Sequence, residues 1–316
     1  MGDQQGQQGP GYDDEIDLFE LVQTVWSGKW LIIFVSVLAA ALSAWVSLQL
    51  PNVYTVQVKI APVEDEGGGQ MNALIGQYGG LASLAGIPLP SGGGGQSELL
   101  LEILQSRSFL EPFIKDQSLG PRLLATEGYD PIEKQEAVDR DQYDPGEGRW
   151  VRVVEPPKTP EPSGEELFEA FSEALSVTKD KTSPVITLSF EHRSPLLGYD
   201  VLARLVKRID DFARTRDRAR SEQSIEYLEQ KLSETRLVDV EKVLYQMIES
   251  QTKTLMLAEV NKDYAFQVID GPQVPEKRSK PNRALIVVLS TLVGGMLATL
   301  WVLIRSAVRN RRNAGA

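Results

Sequence analysis

Cysteine is absent from the 316 residues, and histidine occurs once. The first absence excludes disulfides, thiol catalysis and Cys-ligated zinc. The second leaves no imidazole pair for a metal site and no second proton shuttle beside His192. Basic charge is also short. The 33 Lys and Arg stand against 44 Asp and Glu, giving a net charge of −11 and a pI near 4.8. A nucleic-acid binder needs basic charge to replace counterions, so that class is set aside. No Walker-type phosphate loop occurs, no GxGxxG joins a strand to a helix, and no Gly-x-Ser-x-Gly elbow is present. His192 sits at a strand end beside Arg193 and reads as structural. The scattered carboxylates read as solvated faces. The expectation is a protein that is not an enzyme and carries no cofactor and no metal.

What the chain does have is two uncharged apolar blocks near its ends. Residues 30–50 read WLIIFVSVLAAALSAWVSLQL, with only Ser36, Ser43, Ser47 and Gln49 polar. About 20 apolar residues cross a bilayer core. A cleaved signal peptide needs a basic leader, whereas this leader carries Asp3, Asp13, Asp14, Glu15, Asp17 and Glu20, so a retained span is expected. Residues 284–304 form the second block, with Arg283 before it and Arg305, Arg309, Arg311 and Arg312 after it. Two spans put tails 1–29 and 305–316 on one side of the membrane and residues 51–283 on the other. The positive-inside rule is close to a tie, because Lys277, Arg278, Lys280 and Arg283 precede the second span. Those four read as residues snorkelling to the headgroups, or as a contact for anionic lipid or a lipid-linked diphosphate. Gly294 and Gly295, with Ala298 one turn on, give the second span a small-residue face for close helix packing.

Between the spans the periodicity changes several times. Residues 1–12 are Gly/Gln-rich and expected to be disordered. Residues 13–28 read as a short juxtamembrane helix capped by Asp13 or Asp14. Val56, Val58 and Ile60 alternate with polar residues, as in a half-buried strand. Residues 67–95 are a Gly-rich loop, and Ser97 is placed to cap a helix running to Ile114. A short strand is expected at Trp150–Val154, a capping box at Ser163 and Glu166, and a strand with Ile186, Leu188 and Phe190 on one face. From Ser194 a long helix begins, about 60 Å of rod over about 40 residues. Val201, Leu205, Ile209 and Phe212 mark its first stripe, and Ile225, Leu228 and Leu232 its second. A break is expected at Thr235–Asp239, with Asp239 capping a second helix, and then a strand at Tyr264–Asp270. The apolar stripes are narrow, so Ile225, Leu228 and Leu232 are expected to meet neighbouring subunits. Pro272, Pro275 and Pro281 fix φ and remove three backbone donors, which predicts a stiff, extended, non-helical exit. The fold class is an α+β membrane protein. Two transmembrane helices flank an α/β base, residues 51–193 and 261–283, with a long helical arm over 194–260.

Three stretches carry a resemblance. They are DEIDLFELVQTVWSGKWLI with the following PNVYTVQVKI, the arm segment 225–270, and the proline-rich exit into the second span. Together they resemble the polysaccharide co-polymerases, the chain-length determinant (Wzz-type) proteins of Gram-negative inner membranes. The family's exit pattern is P-x-x-P, four residues, Ser-Pro, then a glycine within the span. Pro272, Pro275, Pro281 and Gly294 match it, Lys280 stands where the family usually has Ser, and Ala298 stands at a second glycine. The resemblance implies cytoplasmic termini, a periplasmic central domain and a ring-like homo-oligomer. It also implies non-catalytic control of polysaccharide length, most often O-antigen of lipopolysaccharide, beside a separate polymerase and on a lipid-linked polysaccharide. Only 12 residues follow Ile304, so no fused kinase is expected. The alternatives are a kinase-less component of capsule or exopolysaccharide export and, further off, a periplasmic adaptor of an efflux or secretion system.

Overall fold

The computed structural model describes residues 18–63, 94–234 and 238–314. The expected N-terminal disorder, the Asp13 or Asp14 cap, most of the Gly-rich loop and Thr235 lie outside them. In chain order the first elements are α1 (Leu18–Ser27), α2 (Lys29–Gln49), β1 (Tyr54–Pro62), α3 (Gly94–Gln105), α4 (Arg107–Asp116) and α5 (Gly120–Leu124). Then come β2 (Thr126–Asp130), β3 (Gln135–Val138), β4 (Tyr143–Asp144), β5 (Arg149–Trp150), α6 (Gly164–Ala174), β6 (Leu175–Lys179) and β7 (Ile186–His192). The chain finishes with α7 (Pro195–Glu234), α8 (Val238–Val260), β8 (Phe266–Asp270) and α9 (Arg283–Ala314). Two compact units result, one of residues 1–50 with 280–316 and one of residues 51–279.

The larger unit is built on a four-stranded antiparallel sheet in the order β6-β7-β1-β8. The alternation in β1 is realised residue by residue: Tyr54, Val56, Val58 and Ile60 are buried. Ile186, Leu188 and Phe190 of β7 lie opposite Ile60, Val58 and Val56. The first half of α7 packs on this face through Leu197, Val201, Leu202, Leu205 and Ile209. It comes so close at Gly198 that a Cβ there would sit 2.7 Å from Val56 Cγ2. Residues assigned to the arm from 194 onward thus begin inside the base core, and the helix projects only past Ala213. Phe113, Phe171 and Phe190 form a stack of tilted and edge-to-face rings, 6.0 and 5.3 Å between centroids, that ties α4 and α6 to the sheet.

Several sequence expectations are corrected here. Ser97 lies inside α3 rather than before it, and Ser106 turns extended and splits the expected helix in two. The strand at Trp150–Val154 shrinks to Arg149–Trp150, because β4 offers only two residues to pair with it and Val153 is 99 % exposed. Asp239 falls within α8, one residue past its start. Strand β6 and the β2–β3 hairpin were not anticipated. The Ser163–Glu166 capping box is present as read, with Ser163 Oγ accepting from the Glu166 N–H at 3.2 Å and Glu166 returning the bond at 3.1 Å.

Helix α8 runs back antiparallel to α7, with Ser221 beside Gln251 and Arg218 beside Glu259. The return to the sheet is held by one pair. Arg214 donates to the carbonyls of Ala258, Asn261 and Lys262 at 2.8–2.9 Å, which satisfies acceptors left open where α8 ends. Its partner Asp210 lies 3.0 Å away and accepts the N–H groups of Tyr264 and Ala265 at 2.9 and 2.7 Å. Replacing Arg214 with Ala should cost about 2–4 kcal/mol, because three carbonyls and a buried carboxylate lose their partner. Denaturant unfolding of the full chain in detergent measures it. Arg214→Lys should recover less than half, since an ammonium cannot span the same fork. An unchanged midpoint in Arg214→Ala would contradict this assignment.

The only histidine closes a second buried network. The Ser194 N–H donates to His192 Nδ1 at 3.1 Å, so Nε2 carries the proton and donates to Leu123 O at 3.1 Å. Ser194 Oγ also accepts from Leu197 N–H, capping α7, and donates to Glu136. Arg122 clamps Glu136 with two bonds and reaches Asp200 with a third. Burial raises the Glu136 carboxyl, but the bonds from Arg122 and Ser194 outweigh it and hold it below the ordinary range. Burial lowers His192 below its ordinary 6.5, against the opposing pull of its bond to Leu123 O and of Glu136. The unfolded chain then binds more protons at this residue, so stability is lost as pH falls below 6.5 towards the folded pKa. Unfolding midpoints between pH 7 and 5 should fall in the wild type and fall less steeply in His192→Gln. Parallel slopes would show that the ring is not the titrating group.

Candidate functional site

The residues expected to act lie at the spans, the exit and the arm. Helices α2 and α9 contain the stretches long and apolar enough to cross a membrane, Lys29–Gln49 and Arg283–Ser306. They pack directly on each other. A Cβ on Gly294 would come 2.7 Å from Ala39 Cβ, and one on Gly295 would come 3.0 Å from Ser36 Oγ. Ala298 is buried as well. The small face of the second span therefore meets the first span of its own chain. A third close approach sits at the helix ends, where a Cβ on Gly28 would come 2.6 Å from Val302 Cγ1. Ser47 Oγ is buried without a hydrogen-bond partner, but three other hydroxyls bond their own helix: Ser43 to Ala40 O, Thr291 to Val287 O and Thr299 to Gly295 O. Such self-bonding is what a lipid environment requires, because no water is available there.

From Gly271 to Asn282 the chain has no helix, as three prolines demand. Pro272, Pro275 and Pro281 are each half-buried. The segment returns to the point where the chain enters the base. Ser279 N–H donates to Val53 O at 2.8 Å, Thr55 N–H donates to Ser279 Oγ at 3.0 Å, and Arg278 reaches Asn52 at 3.4 Å. At position 280 the family pattern has Ser where this chain has Lys280. The hydroxyl that bonds here is that of Ser279, one residue earlier. Lys277, Arg278 and Lys280 are exposed, and Arg283 is half-buried.

On the arm, Leu228 is 6 % exposed, and Ile225 and Leu232 are half-buried. Helix α8 of the same chain packs along α7 beside this stripe. The large apolar residues left open are others: Tyr227 on α7, and Val243, Tyr245, Met247 and Met256 on α8.

With this geometry in place, the comparisons with known proteins become informative. The family model for chain length determinant protein (Wzz) matches residues 14–117. The model for the G-rich domain on putative tyrosine kinase (GNVR) matches residues 228–307. A solved full-length bacterial polysaccharide co-polymerase is similar at 18 % identity and a TM-score of 0.39, over 93 % of this chain and 99 % of its own. A fragment of WzzB, the polysaccharide co-polymerase from Salmonella Typhimurium, is similar at 14 % identity and a TM-score of 0.30, over 72 % of this chain and 100 % of its own. No curated protein matches the chain. The first match takes in α2, β1 and α4, and the second takes in α8, β8, the proline exit and the second span. Over residues 14–117 the chain is thus similar to the chain length determinant (Wzz) family, and over residues 228–307 to the GNVR domain.

Proposed function

We propose that this protein is a non-catalytic regulator of surface polysaccharide chain length, with O-antigen of lipopolysaccharide as the polymer. It acts as a ring-like homo-oligomer in a Gram-negative inner membrane, with residues 51–283 in the periplasm and a separate polymerase beside it. The observation that supports this most is the family match at both membrane ends. Geometry adds to it. Both nitrogens of His192 are committed to backbone groups, so the one imidazole is not poised as a base. The open apolar residues of the arm are what a neighbouring copy would cover. The basic residues Lys277, Arg278, Lys280 and Arg283 would meet lipid headgroups or the diphosphate of a lipid-linked polymer. The proline exit would set the base on the second span.

A second reading is favoured by one match. The description of the 228–307 region names a putative tyrosine kinase. A capsule or exopolysaccharide component working with a separate kinase fits that. Gel profiles from a deletion strain separate the two: an altered lipopolysaccharide ladder supports the first, and an altered capsule or exopolysaccharide supports the second. Reporter fusions should place Ala170 outside the cytoplasm and Gln5 and Ala314 inside. A cytoplasmic signal from Ala170 would sink the topology.

The span contact gives a sharper test. A leucine at 294 must push Ala39 away, because even its Cβ does not fit. Gly294→Leu should leave the protein inserted and the base folded, yet shift or broaden the length distribution at matched expression. Pro275→Ala should do the same more weakly, since it loosens the connector without adding bulk. A wild-type ladder from Gly294→Leu would mean that the paired spans do not influence length control.

A further inference from the structure

Residues 118–227 lie outside both family matches. Within them a groove of about 590 Å³ opens at the surface, a size that takes one or two sugar rings. It is lined by Tyr143, Gly148, Arg149 and Trp150 of one hairpin, by Thr159, Pro160 and Glu161, and by Pro121. The aromatic side is a cross-strand pair. Tyr143 sits opposite Trp150 in the β4–β5 hairpin, with the rings edge to face at 5.3 Å. The hairpin is tightly closed. Gly148 takes a left-handed φ of +65°, its N–H bonds Asp144 O at 2.8 Å, and Asp144 Oδ1 accepts the Gly146 N–H at 2.8 Å. The opposite wall is pinned too. Arg152 donates to Pro160 O at 2.6 Å and Thr159 O at 3.2 Å while holding Glu166 at 2.6 Å. The Arg152 bond draws the Glu166 carboxyl down to about 2, so this anchor stays ionised at any physiological pH. Both walls are therefore set before any ligand arrives.

We propose that this groove binds a glycan, with a pyranose ring laid against the Tyr143–Trp150 pair. Aromatic faces are electron-rich and attract the weakly positive C–H face of a sugar. The equatorial hydroxyls then need both donors and acceptors: Arg149, paired with Glu147, has further N–H groups to donate, while the Glu161 carboxylate and the Thr159 oxygen, whose proton goes to Glu161 O, accept. A proline-rich peptide also suits aromatic grooves, but it presents few hydroxyl-like donors to a carboxylate such as Glu161. The position outside the shared regions fits a contact that differs from one polymer to another. This inference rests on the chain-length reading, and the test separates the two.

The experiment uses the full chain in detergent. The probe is the source strain's own surface polysaccharide, freed of lipid by mild acid and followed by titration calorimetry. The wild type should bind it. Trp150→Ala and Thr159→Trp should each weaken binding by about tenfold, the first by removing the platform and the second by filling the groove from an exposed position. Trp150→Phe should stay within about threefold of the wild type. Thr159→Trp keeps the test decisive if Trp150→Ala fails to fold. Wild-type affinity in Thr159→Trp overturns the groove. No binding by the wild type, in a strain whose deletion does alter the ladder, overturns the groove while the chain-length reading stands. An unaltered ladder on deletion overturns that reading, and the titration still decides whether the groove takes a glycan. Saturation by a decaproline probe, with the polysaccharide inert, overturns the glycan assignment in favour of a peptide.

Discussion

The base of this protein depends on how a helix excursion of about 60 residues is brought back to the sheet it left. Asp210 and Arg214 do this from one turn of α7. The guanidinium gathers three carbonyls where α8 ends, and the carboxylate gathers the N–H groups that open the path to β8. One ion pair thereby fixes the end of α8, the loop after it and the position of the edge strand. Isolated surface pairs contribute little, but these two are largely withdrawn from water and each also satisfies backbone groups. Beyond them β8 is held by its short and irregular pairing with β1 and by Phe266, buried in the core.

Different physics holds the two ends of the chain. In the base, Val56, Phe113, Phe171, Phe190 and Leu202 are withdrawn from water, and apolar burial is the driving term. Between the two apolar helices that term is missing if lipid surrounds them, because leucine gains nothing by leaving lipid for protein. What remains is close packing, and Gly294 and Gly295 allow it by removing the atoms that would hold Ala39 and Ser36 away. The chain's own entry and exit are joined by a third device. Ser279 completes backbone bonding at Val53 and Thr55, so the proline segment ends on the strand where the base begins.

Patterned burial was legible in the sequence. The alternation of Val56, Val58 and Ile60, the capping box at Ser163, the long helix from Ser194 and the non-helical exit were all readable, because each depends on neighbours within a few residues. Elements that depend on distant partners were not. LSVTK follows a helix with no turn residue between, so β6 is specified by β7 alone. The β2–β3 hairpin lies in a stretch of Gly, Asp and Glu that reads as loop. Asp210 and Arg214 look like one more i,i+4 surface pair, since their true partners are 44 to 55 residues away. The same limit applied to the spans: Gly294 announced a close contact but not with which helix.

The buried polar groups of the base share one property that bears on what such a protein can do. Glu136 is clamped by Arg122 and Ser194, His192 is held at both nitrogens, and Glu166 is held by Arg152 and by its own helix start. Each ionisable side chain in these networks is spent on geometry. What the networks supply is rigidity: Arg122 and Glu136 fasten the β2–β3 hairpin to α5, while Arg152 and Glu166 fasten the 159–160 loop to α6. A surface fixed in this way suits measuring or holding a polymer.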